Sequence, residues 1–215
     1  YSSEISNFLV SKKCKAIVIA CNSASAVAFQ DIKNKFEKKC VLFNVIDPVI
    51  KAVVNNPQIK KIGIIGTNAT INSGIYTKSI IQARKDITVI SKATPLLASL
   101  IEEDNNKLYQ HGIIESYLLD DSLKEIDSLI LGCTHYPIIA QQINEIYQKK
   151  INLISSIKYI GDIVKEYLKN EKLLNINFNN EKHHFYVSDY TRNFQKKTKL
   201  FFSSSIILEE ENIFS

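Results

Sequence analysis

The stretch IVIACNSA at residues 17–24 decides the fold, because it joins an apolar strand to a helix through Cys21. The run at residues 16–20 is short, apolar and β-branched, which predicts a buried strand. A similar stretch, LILGCTHY at residues 129–136, places Cys133 directly after another apolar run, at residues 128–132. This repeated strand–cysteine pattern predicts two similar α/β lobes that contribute one cysteine each.

Strand and helix patterns alternate on both sides of these two stretches. Strands are predicted at residues 16–20, 40–46, 61–66, 86–91, 128–132, 151–155 and 184–188. Helices are predicted at residues 2–11, after Cys21 (with Phe29, Ile32 and Phe36 on one face), and at 47–55, 67–83, 95–104, 108–119, 137–148 and 160–170. Such alternation predicts an α/β fold with mostly parallel sheets flanked by helices. Ligands of these folds bind beyond the carboxyl ends of the strands, which predicts an active site between the lobes.

The composition excludes several classes of protein. The 215 residues carry a net charge of +5 with dispersed lysines, so no basic patch for nucleic acid is predicted. No apolar run approaches the roughly 18 residues of a membrane span, so no membrane partner is predicted. The four cysteines show neither a CxxC pair nor zinc spacing, which predicts free thiols in the cytoplasm and no metal site.

Two cysteines at strand ends predict acid–base chemistry. A helix start beside Cys21 and beside Cys133 favours the thiolate and lowers a cysteine pKa. The neighbouring Asn22, Ser23 and Thr134 are suited to helix capping or to binding an anion. One chemistry that needs two thiols is a 1,1-proton transfer at a carbon beside a carboxylate, in which one thiolate removes a proton and the opposite thiol delivers one. His135 would assist proton transfer or binding, or would only cap a helix.

Simpler interpretations of the same residues stay open. A cysteine at a strand end is often an inert buried residue, and Cys14 and Cys40 are predicted to be structural. The doublet His183 and His184 is predicted to have a surface or packing role. The turn GTNAT at residues 66–70 is interpreted as a helix cap or as a weak anion site.

The motifs ACNSASA (residues 20–26) and LGCTHYP (residues 131–137) resemble the two signature motifs of the glutamate racemase family. The second motif matches without change, whereas the first has Ser23 where the family usually has Thr. The stretches GTNATINSGIY (residues 66–76) and LASLIEED (residues 97–104) extend the resemblance over most of residues 15–170.

The resemblance implies an enzyme that interconverts L- and D-glutamate without a cofactor or metal and supplies D-glutamate for peptidoglycan synthesis. It implies that Cys21 serves D-glutamate and that Cys133 serves L-glutamate. The residues implied to bind substrate or to support proton transfer are Asn22, Ser23, Thr134 and His135, and the auxiliary candidates are Glu102, Thr67 and Thr70. It also implies a homodimer and two lobes, residues 1–46 with 156–215 and residues 47–155.

The sequence also departs from the family pattern. The family's opening Asp-Ser-Gly loop and its later Pro-Tyr-Gly segment are not in this sequence, so Tyr1 is expected to lie after both, with the first part of the first lobe missing. Two alternative functions remain, an aspartate-type racemase and a non-catalytic two-lobed amino-acid binder or degenerate racemase. His135 favours glutamate, because the resemblance places it where aspartate racemases usually carry Glu.

Overall fold

The computed structural model describes residues 1–103, 107–175, 183–198, 202 and 206–213, with the backbone alone at residues 107–109 and 193. Its strands are β1 Ala16–Ile19, β2 Val41–Asn44, β3 Lys61–Gly66, β4 Thr88–Ala93, β5 Ser128–Gly132, β6 Asn152–Ile154, β7 Phe185–Val187 and β8 Leu208–Glu210. Its α-helices are α1 Ser2–Ser11, α2 Asn22–Val27, α3 Phe29–Phe36, α4 Asp47–Val54, α5 Asn68–Ser73, α6 Ile75–Ala83, α7 Leu97–Glu102, α8 Lys107–Leu118, α9 Ala140–Ile146, α10 Ile157–Asn170 and α11 Arg192–Lys197. Short 3-10 helices lie at Asp121–Leu123 and Tyr136–Ile139.

The strands pair in parallel, which confirms the predicted α/β class. The central sheet has the order β4-β3-β5-β6, and separate pairs are formed by β1 with β2 and by β7 with β8. Within the central sheet, Gly66 of β3 lies opposite Gly132 of β5, so both strands end at the same edge. Cys133 follows directly at that edge.

The central sheet is covered on both faces. Leu129 and Leu131 of β5 face one cluster, which also contains residues of α7, α8, α9 and the second 3-10 helix. Ile130, the residue between them, faces the opposite cluster with residues of α4 and α6. Because both faces of β5 are buried, its sequence is a continuous apolar run and not an alternating one. A smaller cluster, formed by Ile17, Ile32, Phe36 and Cys40, lies beside β1.

The prediction of one helix over residues 67–83 is wrong. Gly74 adopts a left-handed conformation with φ 68°, ends α5, and lets α6 start at the next residue. The helix predicted after Cys21 is likewise divided, into α2 and α3, at Ala28.

Several other element bounds differ from the predictions. The strand predicted at residues 86–91 is shifted to Thr88–Ala93, because Asp86 lies in a turn and pairing with β3 begins at Thr88, opposite Lys61. The helix predicted at residues 137–148 begins as the 3-10 helix Tyr136–Ile139. The helix predicted at residues 95–104 ends at Glu102, and residue 104 lies outside the described residues.

No helix within the described parts of the chain is both long and apolar enough to cross a membrane. The division of the chain into lobes at residues 46 and 156 stays a prediction, because strand pairing defines sheets and not independently folding units.

Candidate active site

Cys21 lies in the turn between β1 and α2. It occupies the N-cap position of α2 with φ −83° and ψ 124°, and its Sγ accepts a hydrogen bond from the backbone N–H of Ala24 at 3.5 Å. The residue is exposed. The hydroxyl of Ser25 in the next turn donates to the carbonyl of Ile19 at 2.9 Å, which ties the start of α2 back to β1. An accessible thiol therefore sits on a turn held by local hydrogen bonds.

Cys133 follows β5 and is much less accessible, at 7% exposure. It does not cap an α-helix, because the chain continues through Thr134 and His135 into the 3-10 helix at Tyr136. Burial raises the pKa of the Cys133 thiol, and backbone hydrogen bonds from His135 and Thr134 act in the opposite direction without prevailing. The expectation of a lowered pKa is therefore wrong for Cys133, since desolvation outweighs the donors of the turn.

The two thiols are close enough to interact electrostatically. The charge of Cys21 is among the causes that raise the pKa of Cys133, and so is the charge of Glu102. Cys21 extends from the two-stranded sheet of β1 and β2, whereas Cys133 extends from the central sheet. The fold thus brings together two cysteines that are 112 positions apart in the sequence (133 − 21).

His135 connects Cys133 to a carboxylate. Its Nδ1 lies 3.6 Å from the Cys133 Sγ, and its Nε2 lies 2.8 Å from the Glu102 Oε1. A carboxylate only accepts hydrogen bonds, so Nε2 carries a proton, and Nδ1 accepts from the thiol when the ring is neutral. Glu102, from α7, therefore fixes the tautomer and orientation of His135.

Three hydroxyl groups form a cluster beside Cys21. The Ser23 Oγ lies 2.7 Å from the Thr67 Oγ1 and 3.3 Å from the Thr70 Oγ1, and the two threonine oxygens are 3.2 Å apart. Thr67 is also the N-cap of α5, where its Oγ1 accepts from the Thr70 backbone N–H at 3.3 Å. The turn GTNAT is thus a helix cap, as one interpretation had it, and its hydroxyls contact the turn of Cys21.

Asn22 is held by a residue that sequence reasoning missed. Its Oδ1 accepts a hydrogen bond from the Tyr76 hydroxyl at 2.7 Å, and the exposures of the two residues are only 2% and 3%. Its Nδ2 is buried without a hydrogen-bond partner among the described residues. Tyr76 closes the quoted stretch GTNATINSGIY, but a contact between residues 54 apart leaves no local signal.

The remaining candidates lie in three different situations. Thr134 is half-buried beside Cys133, and no hydrogen bond of its hydroxyl occurs within the described residues. Cys14 and Cys40 belong to the small cluster beside β1, in agreement with a structural role. His184 pairs with Glu209 at 2.7 Å and stacks on Tyr186, so a surface and packing role fits it.

Comparisons with known proteins identify relatives of this chain. The family model described as Asp/Glu/Hydantoin racemase matches residues 4–160. The chain is 35% identical over 207 residues to glutamate racemase of Aquifex aeolicus, covering 96% of this chain and 76% of that protein. It is 38% identical over 214 residues to glutamate racemase of Persephonella marina, covering 98% and 78%. The crystal structure of glutamate racemase from Francisella tularensis in complex with D-glutamate superposes with a TM-score of 0.89 and 31% identity over 99% of this chain and 79% of that one.

Proposed function

This chain belongs to the Asp/Glu/Hydantoin racemase family, and from that premise we propose that it interconverts L-glutamate and D-glutamate and supplies the D enantiomer for peptidoglycan synthesis. The choice of glutamate is supported by relatives named glutamate racemase that are 35% and 38% identical over nearly the whole chain. The solved structure that contains D-glutamate supports the same substrate.

The observation that carries the mechanism is the pair of thiols on separate sheets, each at the end of a parallel strand and within electrostatic reach of the other. From D-glutamate, the Cys21 thiolate removes the Cα proton, and the C–H electron pair stays on the substrate carbon. That pair then takes the proton of the Cys133 thiol on the opposite face. The product is L-glutamate, with a thiol at Cys21 and a thiolate at Cys133. The reverse reaction exchanges the two roles.

We assign His135 and Glu102 to the support of Cys133. The buried Cys133 thiol holds its proton more tightly than an ordinary cysteine does. An imidazole 3.6 Å from its Sγ, held by the Glu102 carboxylate at 2.8 Å, is placed to exchange that proton and to stabilise the thiolate. In this assignment Cys21, which is exposed, needs no such partner.

We assign the binding of the substrate carboxylates to the hydroxyl groups around the cysteines. Ser23, Thr67 and Thr70 present a cluster on the Cys21 side, and Thr134 presents a hydroxyl on the Cys133 side. Hydroxyls can reorient to donate to a carboxylate when the substrate binds. Asn22 is nearly inaccessible, and we place its contribution in the support of the Cys21 turn.

Proton NMR of D-glutamate in D2O tests this function. The purified protein in a thiol-reducing buffer should remove the Cα-proton signal while L-glutamate forms. The variants Cys21→Ser and Cys133→Ser should each abolish turnover, and Cys14→Ser, which removes a half-buried thiol outside the site, should retain it. Faster exchange of aspartate than of glutamate would instead support an aspartate-type racemase. Turnover that survives both serine variants would exclude the two-thiol mechanism.

We further propose that the protein acts in the cytoplasm as a homodimer. All four cysteines are free thiols, which suits a reducing compartment. The dimer rests on the family resemblance, and light scattering after size exclusion would test it.

A further inference from the structure

The turn that carries Cys21 is hydrogen-bonded to a buried tyrosine of another layer of the fold. Asn22, the residue directly after Cys21, accepts a 2.7 Å hydrogen bond from the hydroxyl of Tyr76. Tyr76 lies on α6 and packs in the cluster that contains Ile62 and Ile130 of the central sheet. Cys133 extends from that same sheet, so this hydrogen bond ties the first cysteine turn to the body that carries the second.

We propose that Tyr76 is a positioning residue for racemisation, which acts through Asn22 to fix the place of Cys21 relative to Cys133. The inference rests on the two-thiol function proposed above and extends it to a residue that touches neither thiol. Asn22 and Tyr76 are both almost completely buried, so their hydrogen bond is shielded from competing water. The substrate carbon must lie between two thiols at once, and the position of either thiol therefore affects the rate.

Two features distinguish this contact from ordinary packing. Asn22 keeps a buried Nδ2 without a hydrogen-bond partner among the described residues, so the Tyr76 hydroxyl gives the amide its one side-chain hydrogen bond there. Burial raises the pKa of Tyr76 well above its usual range, and the charge of Asp47 adds to this, so the hydroxyl remains a donor at working pH. The next residue, Ser23, contacts Thr67 of the same body. The turn is thus held at two successive positions.

Isotope effects can separate positioning from a loss of folded protein. The two enantiomers have equal free energy in solution, so kcat/KM must be the same for both in every variant. The barrier to proton transfer at Cys21 and the barrier to proton transfer at Cys133 nevertheless contribute separately to the observed rate. Deuterium at Cα of D-glutamate reports on transfer to Cys21, and deuterium at Cα of L-glutamate reports on transfer to Cys133. A displaced Cys21 raises the first barrier alone.

The test is Tyr76→Phe, with Tyr147→Phe as the matched control. Tyr147 donates a comparable 3.2 Å hydrogen bond to the Leu118 carbonyl and takes no part in the site. We expect Tyr76→Phe to lower kcat/KM by about 10- to 100-fold, to increase the isotope effect with D-glutamate, and to decrease it with L-glutamate. We expect Tyr147→Phe to leave both isotope effects unchanged. Unchanged isotope effects in folded Tyr76→Phe, whatever its rate, would overturn the proposal.

A second variant covers the case in which Tyr76→Phe fails to fold. The double variant Asn22→Leu with Tyr76→Phe replaces both partners by apolar groups, which restores packing without restoring the hydrogen bond. Its isotope effects should show the same opposite changes, and wild-type isotope effects in it would contradict the inference.

Alkylation of Cys21 by iodoacetamide, followed by mass spectrometry, gives a readout that needs no turnover. Its rate should change several-fold in Tyr76→Phe and stay constant in Tyr147→Phe, and a constant rate in both would also contradict it. A wild-type protein without racemase activity would refute the proposed function, while the alkylation rates would still decide the role of Tyr76.

Discussion

Cys133 shows at the residue scale how burial and local donors compete. The turn after β5 supplies backbone hydrogen bonds to the thiol, yet removal from water raises its pKa. A raised pKa keeps the thiol protonated to higher pH, so the thiolate fraction at Cys133 grows only at a higher pH than it does for an ordinary cysteine. The exposed Cys21 lacks this shielding. The two thiols therefore differ in environment although their sequence contexts are similar.

Glu102→Gln tests the role of the carboxylate behind His135. The change removes a negative charge that raises the pKa of Cys133, so that pKa should fall and the rise of kcat/KM with pH should move to lower pH. His135 loses its 2.8 Å carboxylate partner, so kcat should fall by at least roughly tenfold. Measurements of kcat and kcat/KM across the pH range, with D-glutamate and with L-glutamate as the substrate, check this.

Glu115→Gln is the control for that experiment. Glu115 pairs with His111 at 3.4 Å on α8, so the substitution removes a similar histidine–carboxylate pair away from the thiols. It should leave the rate and its pH dependence unchanged. An equal effect of both substitutions would refute a specific role for Glu102.

Gly132 matters at the element scale because two parallel strands approach closely beside Cys133. A Cβ at Gly132 would meet the carbonyl oxygen of Ile65 at 2.7 Å, and backbone atoms of a central strand cannot move away cheaply. Gly132→Ala should therefore lower the free energy of unfolding by about 1–3 kcal/mol. It should also reduce turnover, since Cys133 is the next residue. Urea denaturation and the NMR assay measure the two effects.

Gly161→Ala is the matched glycine substitution on α10. No atom lies within 4 Å of the added Cβ, and alanine favours a helix over glycine by roughly 1 kcal/mol. We expect a slightly higher free energy of unfolding and unchanged turnover. A destabilisation by Gly161→Ala as large as that by Gly132→Ala would show that strand crowding is not the cause.

Local sequence patterns could predict those elements whose bounds depend only on the residues within the element. The continuous apolar run of β5 was predicted with its observed bounds, because burial on both faces leaves a plain signal. The division at Gly74 was missed, because hydroxyls and apolar residues continue on both sides of the glycine. The bounds of β4 follow from its pairing with β3, which places Lys61 opposite Thr88 and Gly66 opposite Ala93, and this pairing leaves no local signal in the sequence.

The same distinction applies to the candidate site. The motifs could predict which residues flank the two cysteines, since these are adjacent in sequence. The motifs could not predict Tyr76, nor the raised pKa of Cys133, because both follow from packing between distant segments. The roles assigned to the residues that the motifs singled out remain predictions for the experiments above.

At the scale of the whole molecule, the proposed function requires a substrate held between two separate sheets. The turn after β1 carries Cys21, the turn after β5 carries Cys133, and these strands belong to different sheets. Ser23 contacts Thr67, which directly follows β3 of the central sheet, so the Cys21 turn already contacts the sheet that carries Cys133. Binding at both turns should stabilise them together, because a bound ligand selects the conformations that it contacts.

Hydrogen exchange with D-glutamate tests this arrangement. Saturating D-glutamate should slow amide exchange at the start of α2 and in the segment 134–139 at the same ligand concentration, because one molecule contacts both turns. D-alanine, which lacks the side-chain carboxylate, should protect both much less. The strand pair β7–β8 lies in a separate sheet and should exchange at an unchanged rate. Protection confined to one cysteine turn would mean that the ligand binds a single sheet, and a two-thiol transfer across one carbon could not then operate.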